Sequence, residues 1–326
     1  MSWRKILLNV TDPQTIEPHV LAKTAQIARA LDAEVELFHS VFDPNTVRAG
    51  RLKRIVEADI AARVKDARRR LERAADSLRD QVIRAQTSVR WDYPAHEAVV
   101  RETLRHRPDL LITGSTRTSR AVPITLTYSD FRLLQTCPCP VLMVKTARPY
   151  QGSVVLAALD PPEVPAESPT LDEVILDAAK AVALALKATV HACHAVPALL
   201  VPAAGKAAVV AADPERQTAH LDAARRRVLA ITEHYALRGQ RVHVMQGIAE
   251  SSIVSFAKET RADIVAMGTV SLLPSKGILI GRTAERLLNA FDCDVLVVKP
   301  PGYRSPVARQ GIQSTPIAAM RVRAAR

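Results

Sequence analysis

At 326 residues, 48% hydrophobic but only 4% aromatic, the chain is long enough for two domains with aliphatic cores, and its four cysteines are too few for a disulfide framework. No apolar run reaches the ~20 residues that span a bilayer, and the start MSWRKILLNVTDP lacks the features of a signal peptide, so a cytoplasmic protein is expected. The net charge of +12 leaves nucleic acid, anionic lipid and acidic ligands open.

Taken in order, Lys5–Thr11 predicts a strand that ends at Asp12-Pro13. Ile16–Leu31 is amphipathic at helical spacing, and Ala33–Val41 predicts a second strand. Val47–Ile83 predicts one long charged helix, with Asp59–Arg63 and Asp66–Arg70 at i,i+4, the pattern of a solvated face. Thr87–Trp91 is a short strand, Pro94–His106 a helix opened by proline, and Leu110–Gly114 a fourth strand. A loop Ser115–Thr125, a helix Leu126–Thr136 and a strand Pro140–Lys145 complete a β-α series, the pattern of a doubly wound parallel sheet.

The series then starts again. Ser153–Leu159 is a strand ending at Asp160-Pro161, Leu171–Leu186 a helix, Thr189–Val196 a strand. Pro197–Asp213 is expected to be an apolar loop that packs over the cleft or against the other domain, or serves as a lid or partner surface. Pro214–Leu237 is a helix, Arg241–Met245 a strand and Glu250–Glu259 a helix. Asp263–Pro300 then reads as strand Ile264–Met267, polar loop Thr269–Gly281, helix from Arg282 to Ala290 and strand Val295–Val298. A glycine-bounded loop that leads into a helix can cradle an anion.

The halves are copies. ALDAEVELFHSV (Ala30–Val41) lies over ALKATVHACHAV (Ala185–Val196) with identity at six of twelve positions. At an offset of 154, Asp109, Gly114, Leu133, Leu134, Cys139, Val141 and Lys145 coincide with Asp263, Gly268, Leu287, Leu288, Cys293, Val295 and Lys299. The expected fold is therefore α/β: two tandem doubly wound, Rossmann-like domains, each with a five-stranded parallel sheet. Their bounds are 1–149 and 150–303, followed by a basic tail, 304–326, expected to be disordered.

The tandem halves, the strand-one Asp-Pro and the endings CPCPVLMVK and CDVLVVKP resemble the universal stress proteins, over Lys5–Pro300. The resemblance is closest to two-domain bacterial members. It implies a non-catalytic stress-response protein, and domains packed as an intrachain pseudo-dimer through their last strands; a homodimer is also compatible. Members that bind ATP hold adenine near strands one and two, and phosphates on a loop reading Gly-two-Gly-nine-Gly-Ser/Thr.

Carried over, Gly268 is the first glycine, Ser271 stands for the second, Gly281 is the third, and Arg282, with Thr283 beside it, takes the hydroxyl position. The implied site is thus Gly268, Thr269, Val270, Ser271, Gly281, Arg282 and Thr283 for phosphates and ribose, with Asp160 and Val196 near the base. Ser271 is expected to cost ~1 kcal/mol if its φ must be positive. The first domain keeps Gly114, but Arg117 and Thr127 replace the other glycines, so ATP is expected in the second domain only. Asp12 is matched to Asp160.

Two alternatives stay open. The cleft could bind an apolar or amphipathic small molecule, or a partner protein. The basic helix and tail could bind nucleic acid, although no aromatics interleave with the charges. No catalytic residues, no metal site and no membrane span are expected. His39 and His194 read as cleft-end or packing residues. His191 and His194 face opposite sides of a strand and cannot share a zinc.

Overall fold

The computed structural model describes residues 3–46, 53–115, 126–152, 154–163, 169–202, 209–237, 239–268, 270–273, 277–280 and 282–308. The chain divides into two compact units. One is Ser2–Pro149 with the segment from Tyr303 on; the other is Tyr150–Gly302. Tyr303 joins the first unit through its hydroxyl, which donates to the Gln135 carbonyl at 2.7 Å.

The first domain runs β1 (Lys5–Asn9), α1 (Pro18–Leu31), β2 (Glu34–Val41), α2 (Lys53–Arg79), β3 (Ala85–Trp91), α3 (Ala95–His106), β4 (Leu110–Gly114), α4 (Tyr128–Thr136) and β5 (Val141–Val144). Its strands are parallel in the order β5-β4-β1-β2-β3. The central strands are continuous apolar runs because helices cover both faces. Ile6, Leu7, Leu8, Leu110, Leu111 and Ile112 are all at or below 1% exposure. Helix α2 buries only a stripe, with Val56, Ala67, Leu71, Ala75 and Leu78 inward. Its outer charges pair locally, Asp66 with Arg69 and Arg70, Arg79 with Glu72 and Asp76. A solvated, self-paired face accounts for these charges.

The second domain repeats the plan: β6 (Val154–Ala158), α5 (Leu171–Leu186), β7 (Thr189–Val196), β8 (Leu200–Pro202), β9 (Val209–Ala211), α6 (Pro214–Glu233), a 3-10 turn (Gly239–Arg241), β10 (Val242–Gln246), α7 (Ala249–Glu259), β11 (Ile264–Gly268), β12 (Val270–Leu273), β13 (Gly277–Ile280), α8 (Arg282–Ala290) and β14 (Asp294–Val298). Its parallel order is β10-β7-β6-β11-β14. Helices α1 and α5 end alike, on Asp32 and Lys187 in the left-handed region (φ 50 and 52), whose N–H groups return to the last turn.

Two expected loops are hairpins. Within Pro197–Asp213, β8 and β9 pair antiparallel, Leu200 with Ala211 and Pro202 with Val209. Leu200, Val209 and Val210 are 57%, 62% and 49% exposed, so about half of each of these apolar residues is open to solvent. Within Thr269–Gly281, β12 and β13 pair from Val270↔Ile280 to Leu273↔Gly277. Two short apolar runs on either side of a Pro-Ser-Lys-Gly stretch are a hairpin signal. The expected helix start at Val47, loop residues 116–125, hairpin residues 203–208 and 274–276, and tail residues 309–326 lie outside the described residues.

Candidate functional site

In an open parallel sheet, ligands bind beyond the carboxyl ends of the strands where chain order reverses. In the first domain that point lies between β1 and β4. It opens on a cavity of about 240 Å³ bounded by Asn9, Asp12, Thr15, Glu17, Gly114 and Ser115. Burial raises the Asp12 carboxyl. Bonds from the Thr15 hydroxyl and the Gln14 N–H, with His39 and Arg70 nearby, outweigh that and hold it below its ordinary value. Glu17 leans over Gly114: a Cβ built there would lie 3.3 Å from Glu17 Oε2.

The start of α4 is closed by its own sequence. Thr127 Oγ1 accepts from the Asp130 N–H, and the Asp130 carboxylate accepts from the Thr127 N–H at 2.8 Å. This is a capping box. A fixed carboxylate thus occupies the helix end that would otherwise draw an anion.

The second domain is built differently at the same point, between β6 and β11. Asp160 ends the β6 side with its carboxylate fully exposed. Its N–H donates to Asp172 Oδ1 at 2.8 Å. Burial pushes the Asp172 carboxyl up to about 6; the Asp160 N–H opposes this, and the charges of Asp160 and Glu173 add to it. Gly268 ends β11 under Leu171, where a Cβ would stand 2.5 Å from Leu171 Cδ2. A side chain here would have to displace the Leu171 side chain of α5. The Val270↔Ile280 pair closes the hairpin at its base, beside Gly268 and the first residue of α8, Arg282. At the 154 offset, Gly281 replaces Thr127 and Ala284 replaces Asp130, so α8 has no acid at its third position.

One device is common to both clefts. His39 Nδ1 lies 2.7 Å from the Val10 carbonyl, and His194 Nδ1 lies 2.9 Å from the Leu159 carbonyl. A carbonyl only accepts, so each ring donates from Nδ1 and ties β2 to β1, or β7 to β6. Val10 and Leu159 are therefore equivalent; the Val10 N–H bonds Phe38 O as the Leu159 N–H bonds Cys193 O. The equivalent of Asp160 is then Thr11, and Asp12 lies one residue further out. The expected match of Asp12 to Asp160 is corrected by one position.

Residues 2–145 and 155–299 each match the universal stress protein family. The chain belongs to this family. Universal stress protein E of Escherichia coli is 27% identical over 222 residues, 67% of this chain and 69% of the relative. That of Photorhabdus laumondii is 25% identical over 312 residues, 92% and 96% of the two chains. A crystal structure of a functionally unknown protein from Pseudomonas aeruginosa shares the fold, with TM-score 0.68 and 24% identity over 99% of this chain and 98% of that one. So does a universal stress protein from Archaeoglobus fulgidus, with TM-score 0.64 and 17% identity over 92% and 99%.

Against the family loop, the predicted residues fall into four groups. Gly268, Val270, Arg282 and Thr283 gather at the hairpin base and the start of α8. Ser271 lies inside β12, paired with Leu279, so its backbone is extended. The expected cost of a positive φ does not arise, because a strand takes the place of the loop. Thr269 and Gly281 lie outside the described residues. Val196 is 2% exposed, and its carbonyl accepts the Gly247 N–H at 2.8 Å, so it serves as core at the end of β7.

Sequence reasoning passed over Leu171, Asp172 and the Thr127–Asp130 box. The box has a local signal, a Thr-x-x-Asp ahead of an apolar run, and Leu171 and Asp172 lie within a similar one, Thr170-x-x-Glu173. Elsewhere, Glu36, Glu102 and His106 converge in the first domain. The imidazole already bridges the two carboxylates, and Arg105, Arg90 and Ser88 address Glu102. The Cys137 and Cys139 thiols lie 3.5 Å apart; the Cys137 contact and burial keep Cys139 protonated.

Proposed function

We propose that the protein is a stress-response binding protein that holds one adenine nucleotide, in its second domain, without turning it over. One internal contrast carries this reading. The helix start that would receive phosphates is closed by Asp130 in the first domain and carries Ala284 in the second. A positive helix end beside close-packed backbone favours an anion. Arg282 adds a cation at the same place. Phosphates would sit at the hairpin base against Gly268, Thr269, Val270, Gly281, Arg282 and Thr283, with Ser271 one residue in. The base and ribose would lie toward Asp160 and the carboxyl end of β7, where Val196 serves as core.

Equilibrium dialysis of ATP against the full chain tests the reading. One site per chain is expected. Two sites of equal affinity, or none, overturn it.

A second reading has its own observation. The exposed Leu200, Val209 and Val210 form an apolar hairpin just after β7. It suits an apolar or amphipathic ligand, or a protein partner, at the cleft. Native mass spectrometry of protein purified without added ligand separates the two: a lipid-like mass favours the second, ATP or ADP the first.

A further inference from the structure

A pair of histidines lies away from the cleft, where the edge strand β10 meets β7. His243 pairs in register with Cys193, so it shares a sheet face with His191, two residues earlier on β7. The rings are nearly parallel (14°), with centroids 5.3 Å apart. His191 Nδ1 and His243 Nε2 are 3.1 Å apart. That is almost as close as the centroid separation allows, so each nitrogen points along the line joining the rings. The two nitrogens therefore face one another, and one of them donates its hydrogen to the lone pair of the other.

The surroundings favour the ligating form. The backbone of Gln240 hydrogen-bonds His243. With Nε2 turned to His191, that bond falls to Nδ1–H, which leaves Nε2 as the lone-pair nitrogen. A second ring nitrogen anchored on a backbone carbonyl is the usual support of a metal-bound histidine. Phe256 packs on His243 at 4.4 Å and limits its rotation. Burial keeps both imidazoles neutral at lower pH than usual; the charges of His243 and Arg241 add to this at His191, and the Gln240 backbone opposes it at His243. Met245 follows His243 by two residues on the same face and lines an adjoining recess of about 320 Å³ with Phe256 and Glu259.

We propose that His191 and His243 form a binding site for a divalent late transition metal, with copper preferred over zinc. Two imidazoles are a donor set of that class, and copper stands highest in the divalent series. On binding, the hydrogen on His191 Nδ1 moves to its Nε2, the two rings part slightly, and water completes the coordination.

The test uses the full chain with Cu2+, and with Zn2+ in parallel, in titration calorimetry and electron paramagnetic resonance. One Cu2+ per chain with two-nitrogen hyperfine structure is expected, at least tenfold tighter than Zn2+. His191→Gln and His243→Gln should each weaken it tenfold or more, whereas His220→Gln on α6 should not. Metal-free thermal melting of each Gln variant should match the parent, which separates ligand loss from misfolding. Copper affinity that is unchanged in both Gln variants, or a signal lost equally in His220→Gln, overturns the assignment.

Discussion

Transplanting the first domain's capping box into the second is the sharpest test of where phosphates bind. The variant is Gly281→Thr with Ala284→Asp, the pair that stands at Thr127 and Asp130 in the other half. In α4 the box bonds both orphan ends, Asp130 N–H to Thr127 Oγ1 at 3.2 Å and Thr127 N–H to Asp130 Oδ2 at 2.8 Å. A good N-cap contributes about 1 kcal/mol, or roughly 2–4 °C in melting temperature for a domain of this size. The variant should therefore be as stable as the parent, or more so. The new carboxylate sits where a phosphate oxygen would. Two like charges ~4 Å apart cost about 1 kcal/mol in water and about 4 at an effective dielectric of 20. ATP affinity should fall by about fivefold to about a thousandfold. Thermal melting with equilibrium dialysis reads both quantities. A folded variant that binds ATP as tightly as the parent would show that phosphates do not seat at α8, and the argument from the internal contrast would fail.

Other outcomes follow from packing and charge. Gly268→Ala forces a Cβ to 2.5 Å from Leu171 Cδ2, and should destabilise the second domain by ~1–3 kcal/mol in denaturant unfolding. Adding Leu171→Ala should recover part of that loss, and strictly additive effects would refute the contact. Asp172 is raised from 3.8 to about 6, so between those values the native state binds more protons than the unfolded one. Stability should therefore fall as pH rises through that window, by on the order of 3 kcal/mol at ~1.4 kcal/mol per pH unit, and stay lower above it. Asp172→Asn keeps an acceptor for the Asp160 N–H and should flatten this dependence; an unchanged pH profile would remove Asp172 as its source. Deleting 304–326 should leave no salt-dependent nucleic-acid affinity over ~50–200 mM; a retained steep salt slope would contradict the self-paired reading of α2.

The fold was legible because each half repeats the other. Continuous apolar strands, helical periods and the 154 offset constrain one another, and β4, β7 and α5 fall on their expected bounds. The site was legible only in part. Gly268 stood out as a loop glycine, yet its neighbour Leu171 comes from a different element, and no spacing rule connects them. The segment after Gly268 was read as a cradle because its bounding glycines were weighed above the short apolar runs VSLL and GILI. The pairing of His191 with His243 depends on strand register across 52 residues, which one strand's pattern does not contain.

The one-residue slip at the cleft lip has a further consequence. Val10 and Leu159, and their histidine ties, occupy the same places in both halves. Only the next residue differs, Thr11 against Asp160, with Asp12 folded back on Gln14 and Thr15. After a gene duplication, a single insertion or deletion at this point changes the charge that greets a ligand while no core side chain moves. The two copies could then drift apart in what they hold at almost no cost in folding, and a tandem chain need preserve only one of them for its ancestral ligand.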